Sequence, residues 1–147
     1  MKAPKEIYTE ITVNASANKV WGILTDLKNY SSWNPFIIKA SGNVMIGEQI
    51  TNTTKNGDKT LRFKPKIIEV QPAKRFEWLG HLVFPGLFDG SHYFEIQTLG
   101  ENSVKLIQGE RFKGLLSGVI IKSIRENTEK GFRDMNSALK KEAEKMH

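Results

Sequence analysis

From Ser117 to Met146 the chain runs without a proline. Ile120, Ile124, Thr128, Phe132, Met135, Leu139 and Met146 recur there three, four or seven residues apart. That spacing predicts one amphipathic helix with a single apolar stripe. Glu126 with Lys130 and Glu129 with Arg133 form i,i+4 pairs on its wet side. About thirty residues at 1.5 Å each span roughly 45 Å, enough to cross a whole domain. A stripe of that length has to be covered, and the rest of the chain supplies mainly strands to cover it.

Residues 6–13 alternate, with Ile7, Thr9, Ile11 and Val13 on one face of a half-buried strand. Ser16 is placed to cap a short helix carrying Val20, Ile23, Leu24 and Leu27. A second short turn sets Tyr30 and Trp33 on one side, until Asn34-Pro35 stops it. Strands are expected over 37–40 and 47–54, and Asn56-Gly57 marks a hairpin. A longer strand is expected over 59–70, with Pro65 at an edge or a bulge. Three more follow over 75–81, 89–99 and 103–112, the last two joined through Gly100-Glu101-Asn102. The expected class is α+β: a curved antiparallel sheet of about six to seven strands around the C-terminal helix, with two short helices after the first strand. No repeat, linker or composition break divides the 147 residues, so residues 1–147 read as one domain. Such a sheet gripping one helix leaves a concave space between them, a default small-molecule site.

Composition removes several classes. The chain has no Cys, hence no disulfide framework, thiolate nucleophile or Cys-based metal site. The start, Met1 to Glu6, lacks the apolar core of a signal peptide, and no stretch approaches a membrane span. A soluble cytoplasmic protein is the expectation, without integral membrane association. The net charge of +6 raises nucleic acid or an anionic surface as partner. Its basic residues are scattered over 59–75 and interleaved with Glu and Asp on the last helix, so no nucleic-acid patch forms. P-loop, GxGxxG, HExxH and GxSxG motifs are missing. His81 and His147 lack metal-ligand spacing to His92. No metal and no cofactor are expected.

Val20-Trp21, Leu24-Thr25-Asp26, Tyr30 and Trp33-Asn34-Pro35 resemble the N-terminal signature of the SRPBCC (START-like) superfamily. Gly86-Leu87-Phe88-Asp89-Gly90, His92-Tyr93-Phe94 and Gly109 to Leu116 are similar to its polyketide cyclase/dehydrase-type branch. The resemblance runs from about residue 6 to 145 in order and spacing. It implies a helix-grip fold with a deep apolar cavity between sheet and C-terminal helix. It also implies a hydrophobic ligand, lipid- or polyketide-like, that is bound or transformed there. A related member of the fold activates a heat-shock chaperone ATPase, which adds a protein partner to the readings. The fold alone does not choose among these.

The most informative pair is His92 and Glu110. If Leu99 lies opposite Ser103, His92 faces Glu110, Phe94 faces Gln108, Ile96 faces Leu106 and Thr98 faces Val104. That register gathers the apolar residues on the cavity face and brings both ionisable groups with them. Cross-strand neighbours lie about 4.5–5.5 Å apart at Cβ, within reach of an imidazole–carboxylate hydrogen bond. A one-residue shift would pair His92 with Arg111 and mix the faces. Two readings stand: a general acid/base in which Glu110 orients His92, or a buried polar pair that satisfies itself and anchors a ligand. Trp78 reads as cavity wall or core, and Trp33 and Phe36 as a cavity mouth. Trp21 reads as core, and Arg62 as an anion contact or a solvated edge. Phe94, Ile96, Leu106 and Gln108 would face the ligand from the sheet, and Ile124, Thr128, Phe132 and Met135 from the helix. A binding module, monomeric or weakly dimeric, and a cyclase- or dehydratase-like enzyme are the competing functions.

Overall fold

The computed structural model describes residues 5–81 and 85–145. The expected helix end at Met146, His147 and residues 1–4 lie outside them.

Strand β1 (Glu6–Val13) leads into α1 (Ala17–Thr25), whose cap is Ser16: its hydroxyl accepts the Lys19 N–H at 3.1 Å. A 3-10 turn (Leu27–Asn29) and the short α2 (Tyr30–Trp33) follow. Asn34 then accepts the N–H groups of Phe36 and Ile37 on its Oδ1, both at 2.9 Å, and turns the chain into β2 (Ile37–Ser41). Next come β3 (Thr51–Asn56), β4 (Lys59–Phe63), β5 (Lys66–Gln71), β6 (Arg75–His81), β7 (Asp89–Gly100) and β8 (Ser103–Lys113). The long α3 (Ser117–Ala143) closes the order.

The strands form two antiparallel sheets, β1-β8-β7-β6-β5 and β2-β3-β4. Helix α3 packs on β1 and β8 of the first and on β3 of the second. This is the helix-grip arrangement. The strand expected over 59–70 is two strands, which makes eight among the described residues in place of six or seven. Pro65 has no N–H to donate, so the ladder stops at Phe63 and restarts at Lys66 in the other sheet. Both β4 and β5 are edge strands. The segment expected to begin a strand at 47 instead crosses to β5, through Ile50 N–H to Pro65 O and Gly47 N–H to Ile67 O. The corner between the sheets is therefore stitched at Pro65.

The central hairpin holds its expected register: Asp89↔Lys113 through Thr98↔Val104, including His92↔Glu110. One departure is at its end, where Gly100 faces Ser103 and Leu99 is bulged out. Phe76, Phe94, Ile96, Val104 and Leu106 from the sheet meet Phe132, Met135 and Leu139 from α3 in the core. Fully burying side chains of this size contributes roughly 1.5–3 kcal/mol each. The start of α3 is tied to the preceding turn, since Leu115 and Leu116 donate to the carbonyls of Gly86 and Leu87, both at 3.0 Å. Gly114 makes that approach possible: its φ is +118°, and a Cβ would run into the Leu87 carbonyl.

Candidate functional site

Between the two sheets and the N-terminal half of α3 lies a cavity of about 190 Å³. Its walls are mostly aromatic and aliphatic: Phe36 and Ile37, Leu61 and Phe63 of β4, Trp78 of β6, Phe88, Phe112 of β8, and Ile120 and Ile124 of α3. The floor is opened by residues without side chains, Gly80 and Gly90, which face each other across β6 and β7. The polar members are His92, Glu110, His81, Asn52, Thr54, Asn56 and Thr128.

His92 and Glu110 reach the cavity from neighbouring strands. His92 is 4% exposed, and its imidazole is packed among rings, with centroids 4.7 Å from Phe132 and 4.9 Å from both Trp78 and Phe94. The expected hydrogen bond to Glu110 does not form: Nδ1 and Oε1 are 3.6 Å apart, too long for one. The reason is Gln108. His92 Nε2 lies 2.9 Å from Gln108 Oε1.

The hydrogen-bond network assigns the tautomer. Gln108 Nε2 donates to Asn136 Oδ1 at 2.7 Å and to the Phe132 carbonyl at 3.3 Å. Its oxygen must then face His92, and a carbonyl oxygen only accepts, so Nε2 carries the proton. In neutral His92 the lone pair is on Nδ1, on the Glu110 side. Asn136 Nδ2 donates in turn to Thr9 Oγ1 at 2.8 Å, and Thr9 donates to the Gln108 carbonyl at 2.8 Å. Thr9, Gln108 and Asn136 are all buried, so α3, β1 and β8 together hold the imidazole in place. Glu110 is positioned by a different device. Its carboxylate lies over Gly90, where any Cβ would overlap it.

The sequence-selected residues divide into two groups. His92, Glu110, Phe36, Trp78, Ile124 and Thr128 come together on the cavity. Phe94, Ile96, Leu106 and Met135 sit in the packed core, away from its lining, and Phe132 touches it only through His92 and Phe36. The curvature of the sheet closes the far half of the helix stripe onto the core, while Ile120, Ile124 and Thr128 stand over open space. Gln108 is fully buried and holds His92. Trp33 packs edge-on to Tyr30, with centroids 5.2 Å apart, rather than at the cavity. Trp21 packs edge-on to Phe76, and Arg62 is exposed on β4.

Sequence reasoning missed His81 and Asn52. His81 also lines the cavity, and its Nδ1 is 2.8 Å from Asp89 Oδ1. That hydrogen bond, with help from the Gly86 N–H, holds the Asp89 carboxyl below its ordinary range. Asn52 is 2% exposed, and its Oδ1 is buried with no hydrogen-bond partner. Within β3 it reads as one more polar residue in Thr-Asn-Thr-Thr-Lys-Asn, and only the cavity distinguishes it. No group of three or more His, Asp or Glu side chains converges to hold a metal among the described residues.

Comparison with known proteins places this geometry in context. Residues 4–144 match the model of a family described as polyketide cyclase / dehydrase and lipid transport. No curated protein sequence matches the chain. Among solved structures, the Zhui aromatase/cyclase from Streptomyces sp. R1128 superposes with a TM-score of 0.77 at 19% identity, over 95% of this chain and 93% of that one. A START superfamily protein from Mycobacterium smegmatis gives 0.72 at 18% identity, over 95% and 97%. Norcoclaurine synthase from Thalictrum flavum, solved with dopamine and hydroxybenzaldehyde, gives 0.72 at 17% identity, over 97% and 89%. At these identities the likeness is one of fold.

Proposed function

The chain belongs to the polyketide cyclase / dehydrase and lipid transport family, and on that premise we propose that it binds a small hydrophobic molecule in the cavity beneath α3. The observation that carries this is the cavity itself: an apolar, aromatic-walled space of about 190 Å³ with its polar groups confined to a few positions. An engineered cavity of about 150 Å³ in another protein holds benzene, so the enclosed part here suits a ligand of one or two rings. Apolar walls supply affinity through desolvation, and a few fixed polar atoms supply orientation. Native mass spectrometry and organic extraction of the purified protein should find such a molecule. Ile124→Trp, which fills the space from α3, should abolish its retention. A wild-type protein that neither retains a ligand nor gains thermal stability from any member of an aromatic panel would overturn the reading.

A second reading, cyclase- or dehydratase-like catalysis, is favoured by one observation. The Nδ1 lone pair of His92 stands beside the Glu110 carboxylate on the cavity wall. There Nδ1 would take a proton from a bound ligand, and Glu110 would stabilise the imidazolium that results. His92→Gln should then lower turnover of the extracted ligand by about 10²-fold or more with little change in affinity. Equal turnover would leave the binding reading alone.

A further inference from the structure

Among the described residues lining the cavity, Asn52 is the one whose buried side chain carries an atom with no hydrogen-bond partner. Its carbonyl oxygen is buried and unpartnered, although buried amides are normally satisfied. The position matters as much as the deficit. Asn52 stands on β3 of the three-stranded sheet, while His92 and Glu110 stand on β7 and β8 of the five-stranded sheet. The two polar groups therefore approach the cavity from opposite walls, with the rings of Phe36, Phe63 and Trp78 also lining it.

The chemistry of these atoms selects a partner. His92 Nδ1 offers a lone pair, because Gln108 holds the proton on Nε2. Glu110 offers carboxylate oxygens, and at 3.6 Å it and His92 Nδ1 do not hydrogen-bond to each other, so both acceptors are open to a donor. Asn52 offers an unpaired oxygen. Among the described lining residues there is no Lys or Arg to neutralise an anion or polarise a carbonyl. A ligand presenting only carbonyl oxygens would meet acceptors at His92 and Glu110, and at Asn52 it could engage the amide N–H but would leave the orphaned Oδ1 unpaired; a hydroxyl can donate at either wall.

We propose that Asn52 is a second polar anchor of the cavity, and that its occupant is a one- or two-ring molecule with a hydroxyl at each end. One hydroxyl meets His92 and Glu110, and the other meets Asn52. This rests on the binding reading above and sharpens it to a ligand class.

Titration calorimetry with 2-naphthol, 2,6-dihydroxynaphthalene and 6-methyl-2-naphthol tests it. The methyl compound matches the diol in size but carries no second polar group. Wild-type protein should bind the diol about tenfold more tightly than either single-hydroxyl compound, the increment typical of one satisfied buried partner. In Asn52→Leu the increment of the diol over 6-methyl-2-naphthol, both measured in that variant, should fall to less than about twofold, and Tm should rise because the unpaired amide is gone. A diol no tighter than 6-methyl-2-naphthol in the wild type overturns the proposal without any variant, as does an increment that survives in Asn52→Leu. If the single-hydroxyl compounds bind and the second hydroxyl adds nothing, this proposal fails and the cavity reading stands. If none of the three binds, this proposal fails, while the cavity reading falls only if extraction and the wider aromatic panel are negative too.

Discussion

Replacing Gln108 with leucine should destabilise the fold by an amount that the buried network sets. Gln108 is fully buried and serves three groups: the His92 Nε2 proton, Asn136 Oδ1 and the Phe132 carbonyl. The Phe132 carbonyl lies within α3, where the helical ladder also serves it. The His92 N–H and the Asn136 oxygen would be left unpaired, at about 1–3 kcal/mol each. Leucine regains part of this as a buried apolar side chain, about 1–2 kcal/mol. The net loss should be about 2–4 kcal/mol, or roughly 5–15 °C in Tm for a chain of this size. Urea unfolding followed by tryptophan fluorescence would measure it, with the m-value unchanged. Nitrogen-15 NMR of the imidazole adds a direct readout: His92 should be the Nε2–H tautomer in the wild type. Gln108→Leu and Asn136→Leu should be coupled by about 1 kcal/mol or more, because each relieves the orphan left by the other. A loss below about 0.5 kcal/mol, or an Nδ1–H tautomer in the wild type, would refute the network as drawn.

Three further outcomes follow from the geometry. Gly90→Ala puts a methyl group where the Glu110 carboxylate lies; the side chain can swing away, so stability should change by less than about 1 kcal/mol while affinity for hydroxylated ligands falls, and unchanged affinity would remove Glu110 from the site. Gly131→Ala should gain about 1 kcal/mol of helix propensity but forces the Phe36 ring off α3, so a net loss of about 1 kcal/mol in chemical denaturation is expected and a net gain would show that Phe36 is not pinned there. All three tyrosines have phenols pushed above their ordinary range, first by burial, with Glu10 assisting at Tyr8, Asp26 at Tyr30 and Glu6 at Tyr93. Raised folded values mean stability that is fully present below the unfolded value near 10 and lost as pH rises beyond it. Ultraviolet titration should therefore show Tyr30 and Tyr93 ionising together with alkaline unfolding, any earlier phenolate being that of the more exposed Tyr8; ionisation of more than one tyrosine near pH 10 in the folded protein would contradict it.

The local chemistry of the chain determined a good deal. A period of two set the faces of β1, β7 and β8, and a register that kept Phe94, Ile96, Val104 and Leu106 together placed His92 against Glu110. Ser16, Asn34-Pro35 and Asn56-Gly57 marked real boundaries, because caps and turns depend on residues within a few positions of one another. Tertiary structure decided what depends on distant partners. Pro65 marks a strand break in the sequence, but only the packing sends β4 and β5 to different sheets and opens the space between them. The helix stripe is uniform in sequence, yet sheet curvature leaves Ile124 and Thr128 over a cavity and buries Phe132 and Met135. Pairing rules placed Glu110 opposite His92, but the hydrogen bond went to Gln108 because Asn136, 28 residues further on, holds that amide in place. Asn52 belongs wholly to this second class: a polar residue on a strand is ordinary until the fold buries it beside an apolar space with nothing to bond.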